Sequence, residues 1–146
     1  MLKTPLTGVD ASTSFTLNFS SPGGMQAQAI LSDSITLPAT NPGVTIRYRN
    51  GNILIAPPIY SPRSFTVQYF DKPGSGTIKR EETKHFEYVG RGWHFQADEV
   101  ARCVRDGKLE SSVWTHEKSL LEMEIFDEVR KQGNYVFPAG VERVPL

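Results

Sequence analysis

Three histidines, one cysteine and two close pairs of glycines are the first residues to weigh for chemistry in this chain of 146 residues. A dinucleotide site needs a glycine-rich turn between a strand and a helix, with glycines at GxGxxG spacing, so that the backbone can approach a pyrophosphate. Gly74 and Gly76 have the first spacing, but Lys79 stands at the third position. Gly90 and Gly92 have it too and precede a helical stretch, but Phe95 stands third. An anion at that helix start is conceivable; a flexible approach to the helix is the simpler reading. No P-loop pattern occurs. His85, His94 and His116 lack the i, i+4 partner or the cysteine cluster that a zinc site requires, and read as surface or capping residues. No serine sits in a GxSxG elbow. Cys103 falls beside an apolar helical stripe, where a packed thiol is the expectation.

The carboxylates do not gather into an acid–base pair. Glu81, Glu82 and Glu87 share one stretch with Lys79, Arg80 and Lys84, the pattern of a solvated strand. Asp98, Glu99, Arg102 and Arg105 form the wet side of a helix, with Asp98 and Arg102 at i, i+4 spacing. Arg47 and Arg49 flank an Asn-Gly pair and read as surface charge. Taken alone, these residues contain no catalytic, cofactor-binding or metal-binding set.

The elements that would position them follow from periodicity. Residues 12–19 alternate Phe15, Leu17 and Phe19 against polar neighbours, and 25–33 alternate through Met25, Ala27 and Ala29; SSPGG between them is turn chemistry, which makes an antiparallel hairpin. VTIRYRNGNILIA at 44–56 carries Asn50-Gly51, expected as a type I′ turn because both residues tolerate positive φ. PPIYSPR at 57–63 lacks regular ladder donors and reads as an edge or crossing loop. SFTVQYF at 64–70, the turn DKPGSG and the charged run Thr77–Val89 complete six strands. Helices are expected from Trp93 to Asp106, with Ala97, Val100, Ala101 and Val104 on one stripe and Gly107 as C′ residue, and from Thr115 as N-cap to Gln132, stopped by Gly133. The second helix, with Leu121, Met123, Ile125, Phe126 and Val129, has an arc broad enough to be covered on more than one side. Strands first and helices last predict an α+β fold: an open-faced, largely antiparallel sheet with helices packed on one face. The other face, with Tyr48, Phe65, Tyr69, Phe86 and Tyr88 on its strands, invites a partner.

Composition bounds the rest. A chain of this length reads as one domain, residues 1–146, expected to bury about two-thirds of its unfolded surface. Sixteen basic residues balance sixteen acidic ones, which argues against nucleic acid or an anionic membrane as partner. No apolar run reaches the ~18 residues of a membrane span, and the start, MLKTPLTGVDAS, has no signal-peptide pattern. The single cysteine fits a reducing compartment, so a cytoplasmic location is expected.

Residues 7–19 (TGVDASTSFTLNF), the stretch VTIRYRNGNILIAPPIYSPRSFTV and residues 92–111 with the helix LLEMEIFDEVRKQG together resemble the C-terminal domain of the Gfo/Idh/MocA oxidoreductases. Within that family the likeness is to the dimeric dihydrodiol dehydrogenases and the NADP-dependent D-xylose 1-dehydrogenases, and it runs from about Thr7 to Tyr135. The resemblance implies an N-terminal Rossmann domain holding NADP and a catalytic lysine in a Glu-Lys-Pro motif, neither of which this chain carries. Lys72-Pro73 is a decoy: it lies deep within the sheet region, Asp71 replaces the glutamate, and a hairpin turn explains it. The resemblance also implies a helix packed on the sheet, a homodimer through the open sheet face, and Trp93, His94 and Phe95 near the substrate, although the family often has Gly-Met where this chain has Trp93-His94.

Three functions remain open at this point. The chain is the substrate-side and dimerisation part of a sugar or dihydrodiol dehydrogenase, inactive alone, with a Rossmann domain in cis or in trans. Alternatively, it is a stand-alone interaction module derived from such an enzyme. The third is an unrelated small α+β enzyme using His94 and Asp98.

Overall fold

The computed structural model describes residues 1–24, 26–137, 140 and 141. Met25, one of the alternating positions of the first hairpin, lies outside them. The described strands are β1 (Leu2–Lys3), β2 (Asp10–Ser20), β3 (Gln26–Ser34), β4 (Val44–Tyr48), β5 (Gly51–Ile55), β6 (Ser64–Phe70) and β7 (Ile78–His85); the helices are α1 (His94–Arg105) and α2 (His116–Gln132). The class is α+β and every strand pair is antiparallel. The strands form two sheets rather than one, ordered β1-β2-β3 and β4-β5-β6-β7. Correspondingly, the chain divides into two units, Met1–Leu37 with Glu110–Leu146, and Pro38–Leu109.

In the first unit, β2 and β3 pair without a break from Ser12↔Ser34 to Ser20↔Gln26. Alternation along β2 places Ala11, Thr13, Phe15 and Leu17 on its better covered face, and Thr13 is buried with no hydrogen-bond partner for its hydroxyl. Helix α2 starts where Thr115, in extended conformation, accepts a hydrogen bond from Lys118 N at 3.4 Å. Its end differs in detail from the sequence reading. Gly133 is the C-cap at φ −77°, and Asn134, at φ 49°, is the left-handed residue. Tyr135 N donates to Arg130 O and Asn134 N to Lys131 O, closing a Schellman motif. Gly133 answers a different need, since a Cβ there would stand 3.1 Å from the Met1 side chain.

In the second unit, cross-strand pairing divides the sheet into two chemically distinct faces. One carries Val44, Ile46, Tyr48, Ile53, Ile55, Phe65, Val67 and Tyr69 on β4–β6, with Arg80, Glu82 and Lys84 of β7 at its edge; the other carries Thr45, Arg47, Asn52, Thr66, Gln68, Glu81 and Thr83, with Leu54 among them. The polar face is laced by side chains: Asn52 Nδ2 donates to Gln68 Oε1 at 3.1 Å, Gln68 Nε2 to Glu81 Oε2 at 3.2 Å, and the Thr66 and Thr83 hydroxyls lie 2.8 Å apart. The β4–β5 turn is a correction. Tyr48 pairs with Gly51, so Arg49-Asn50 make the turn, neither at positive φ. Gly51 is a buried strand residue instead, held to glycine by its closeness to β6.

Helix α1 ends as its glycine implies. Gly107, at φ 64°, donates to Val104 O, and Lys108 N donates to Cys103 O at 2.9 Å. Neither helix buries a residue. The stripe Ala97, Val100, Ala101 and Val104 is exposed, while Glu99 and Cys103, which run along one flank of it, are half-covered. Leu121 and Met123 of α2 are likewise exposed, so the cover expected over that helix is not supplied. The expectation of a buried core is corrected too: among the described residues no apolar side chain is buried.

Candidate functional site

Between β7 and α1 the chain leaves the ladder after His85 and crosses to the loop 57–63. Phe86 still belongs to the sheet, donating its N–H to Arg63 O at 2.8 Å and stacking on Phe65 with ring centroids 5.6 Å apart. Beyond it, side chains replace the ladder. The Tyr88 hydroxyl lies 2.7 Å from Ser61 Oγ and donates to Pro62 O at 3.2 Å. Ser61 Oγ donates to Arg91 O at 2.9 Å, and Arg63 Nη2 donates to Tyr88 O and Gly90 O at 3.2 and 2.8 Å. The Arg63 guanidinium also stands 4.6 Å from the Tyr88 ring centroid.

Gly90 and Gly92, at φ 63° and 80°, turn this strap into α1. Trp93 is the N-cap of the helix, with helical dihedrals and no side-chain cap; it is 71% exposed. His94 opens the helix, its ring centroid 4.2 Å from that of Phe95, and Phe95 meets Tyr88 edge-on at 5.8 Å. Val89, Gly90, Arg91, Trp93 and His94 line an open depression of about 490 Å³. An exposed indole bordering a depression shared with Arg91 and His94 is a surface on which a polar ring could stack.

The other residues singled out from sequence lie elsewhere. Gly74 and Gly76 belong to the β6–β7 turn, between two strands and away from any helix start, so they form no dinucleotide cradle. Lys72 lies in the same turn, where its N–H donates to Asp71 Oδ1 at 2.7 Å and its carbonyl accepts from Ser75 N at 3.1 Å. His85 ends β7 opposite Ser64. His116 begins α2, its N–H donating to Glu110 Oε2 at 2.7 Å. Cys103 Sγ lies 3.8 Å from Glu99 Oε1. Among the described residues no group of His, Cys, Asp or Glu is placed to hold a metal ion, and no helix is long and apolar enough to cross a membrane.

Sequence reasoning named Trp93, His94 and Phe95 but passed over Ser61 and Arg63, and it placed Tyr88 on a strand of the open sheet face, whereas β7 ends at His85 and Tyr88 joins Ser61 and Arg63 in holding the strap. The available signal was PPIYSPR itself: a segment without ladder donors must satisfy its polar groups and those of its neighbours by side chains.

Comparison with known proteins gives this geometry a context. Over 141 residues the chain is 31% identical to D-xylose 1-dehydrogenase (NADP(+)) of Hypocrea jecorina, covering 90% of this chain and 34% of that protein. Over 133 residues it is 31% identical to trans-1,2-dihydrobenzene-1,2-diol dehydrogenase of Oryctolagus cuniculus, covering 90% of this chain and 38% of the relative; the enzyme of Sus scrofa gives the same figures. The chain is homologous to these dehydrogenases. It spans little more than a third of their length. No protein-family model matches it, and no solved structure matches it significantly. Trp93, His94, Phe95 and α1 fall within residues 92–111, one of the stretches that carry the resemblance.

Proposed function

We propose that this chain is the substrate-side and dimerisation part of an NADP-dependent dehydrogenase of the Gfo/Idh/MocA type, acting on a sugar or a trans-dihydrodiol. The observation that carries the reading is the 31% identity, over nine-tenths of the chain, to both a D-xylose and a dihydrodiol dehydrogenase. The relatives are named for a sugar and for a cyclic diol, both hydroxyl-bearing compounds able to present a ring to an exposed Trp93 beside Arg91 and His94. The described residues offer no dinucleotide cradle, so NADP and the catalytic lysine would be supplied from outside this chain, in cis or in trans. Its own residues would stack and orient the donor ring, leaving the chain without activity by itself. A homodimer would form through an open sheet face; Tyr48 and Tyr69, on the apolar face of the second sheet, are 59% and 37% exposed and support it. The cytoplasm, which suits a single cysteine, would be its location.

The test is the size and activity of the native protein. An antibody to this chain should detect a species more than twice 16.3 kDa, which reduces NADP in the presence of D-xylose or a trans-dihydrodiol. A long species with no such activity sinks the reading. A species at 16.3 kDa that binds a full-length relative favours the stand-alone interaction module instead, a role to which the exposed apolar stripe of α1 is suited.

A further inference from the structure

We infer that Arg63 and Ser61 are positioning residues for the segment Trp93–His94–Phe95, acting through the strap 86–92; the functional part of this inference rests on the reading above.

Past Phe86 the strap has no strand partner, and two glycines at positive φ leave its backbone free to sample many conformations. Three side-chain anchors remove that freedom. Arg63 spans Val89, binding the carbonyls of Tyr88 and Gly90 with one terminal nitrogen while its guanidinium covers the Tyr88 ring. The planar guanidinium can lie over the ring while its Nη2 reaches both carbonyls, which a compact ammonium would not do together. Ser61 bridges the two segments: its own proton goes to Arg91 O, the last carbonyl before Gly92, and its oxygen shares the Tyr88 hydroxyl proton with Pro62 O. Tyr88 in turn supports Phe95 by ring contact. The anchors therefore end immediately before the Trp93 that borders the depression, and they fix the direction in which α1 starts. Arg91, whose guanidinium reaches the Tyr60 hydroxyl at 3.5 Å, is tied to the same loop.

Limited trypsin digestion of the whole chain tests this, because Arg91 is itself a cleavage site within the strap. Cleavage follows local opening when reclosing is fast. Arg63→Ala, losing a charge-assisted hydrogen-bond fork, should accelerate cleavage after Arg91 about tenfold relative to cleavage after Arg47 in β4. Ser61→Ala and Tyr88→Phe, each losing neutral hydrogen bonds, should do so about threefold, and they carry the test if Arg63→Ala does not fold. Acceleration shared equally by Arg91 and Arg47, or none at Arg91, overturns the positioning role. D-xylose added to the unsubstituted chain separates the two ideas. Slower cleavage after Arg91 supports substrate contact at this segment. Unchanged cleavage both with D-xylose and with a trans-dihydrodiol, the variants still being accelerated, leaves the clamp standing and counts against the substrate reading alone.

Discussion

Gly51 lies so close to Gln68 on the neighbouring strand that a Cβ at position 51 would stand 1.9 Å from the Gln68 carbonyl oxygen. That atom belongs to the backbone and cannot swing aside. Gly51→Ala should therefore force β5 and β6 apart and cost roughly 1–3 kcal/mol, the range for overpacking. Urea denaturation followed by circular dichroism measures it; an unchanged midpoint would show that the strands part freely.

Thr13 presents the opposite case, a buried hydroxyl whose oxygen has no partner. Leaving such a group unsatisfied carries a desolvation penalty, so Thr13→Val should raise stability by about 1 kcal/mol. Thr13→Ser keeps the hydroxyl and should give no gain. A stability loss in the valine variant would mean that the hydroxyl is satisfied after all.

Thr115 caps α2 through Lys118 N. Thr115→Ala should lower stability by about 1 kcal/mol, and Thr115→Ser should retain most of it. The thermal midpoints of the two variants, compared with that of the unsubstituted chain, decide this.

Asp106 at the end of α1 has its carboxyl held below the ordinary 3.8, chiefly by the hydrogen bonds from Arg105, against an opposing desolvation and with a smaller contribution from the charge of Lys108. A carboxylate depressed in the folded state contributes stability that is present above its unfolded value and is lost as pH falls through the folded one. Arg105→Gln should raise the Asp106 titration toward 3.8, observable by carbon NMR of the carboxyl. A titration that does not move would show that the pair is not formed in solution.

Trp93 is largely exposed, so its replacement should leave folding intact. In the complete dehydrogenase of the proposed reading, Trp93→Ala should raise KM for the sugar or diol roughly three- to tenfold through lost stacking. An unchanged KM removes Trp93 from the substrate site.

How much of this was legible in the sequence varies by element. The hairpin β2–β3 was, because alternation with a glycine-rich turn admits few other arrangements, and the observed pairing runs unbroken. Thr115 and Gly107 were, because caps depend on a few neighbouring residues. Asn50-Gly51 misled: the dipeptide is a turn signal by local preference, yet Gly51 serves a cross-strand approach that local preference cannot express. Trp93, His94 and Phe95 became candidates through resemblance, not through their own spacing.

What the sequence alone determined, then, is what rests on short-range periodicity and capping, namely element types, approximate bounds and the α+β class, together with the likeness to dehydrogenases, which rests on residue identity along the chain. The tertiary structure decided what rests on residues far apart in the chain. The strands divided into two sheets, Gly133 made room for Met1, and Arg63 reached the carbonyls of Tyr88 and Gly90. Such contacts depend on where two segments come to lie, and a hydrogen bond across 25 residues leaves no period in the chain for sequence to display.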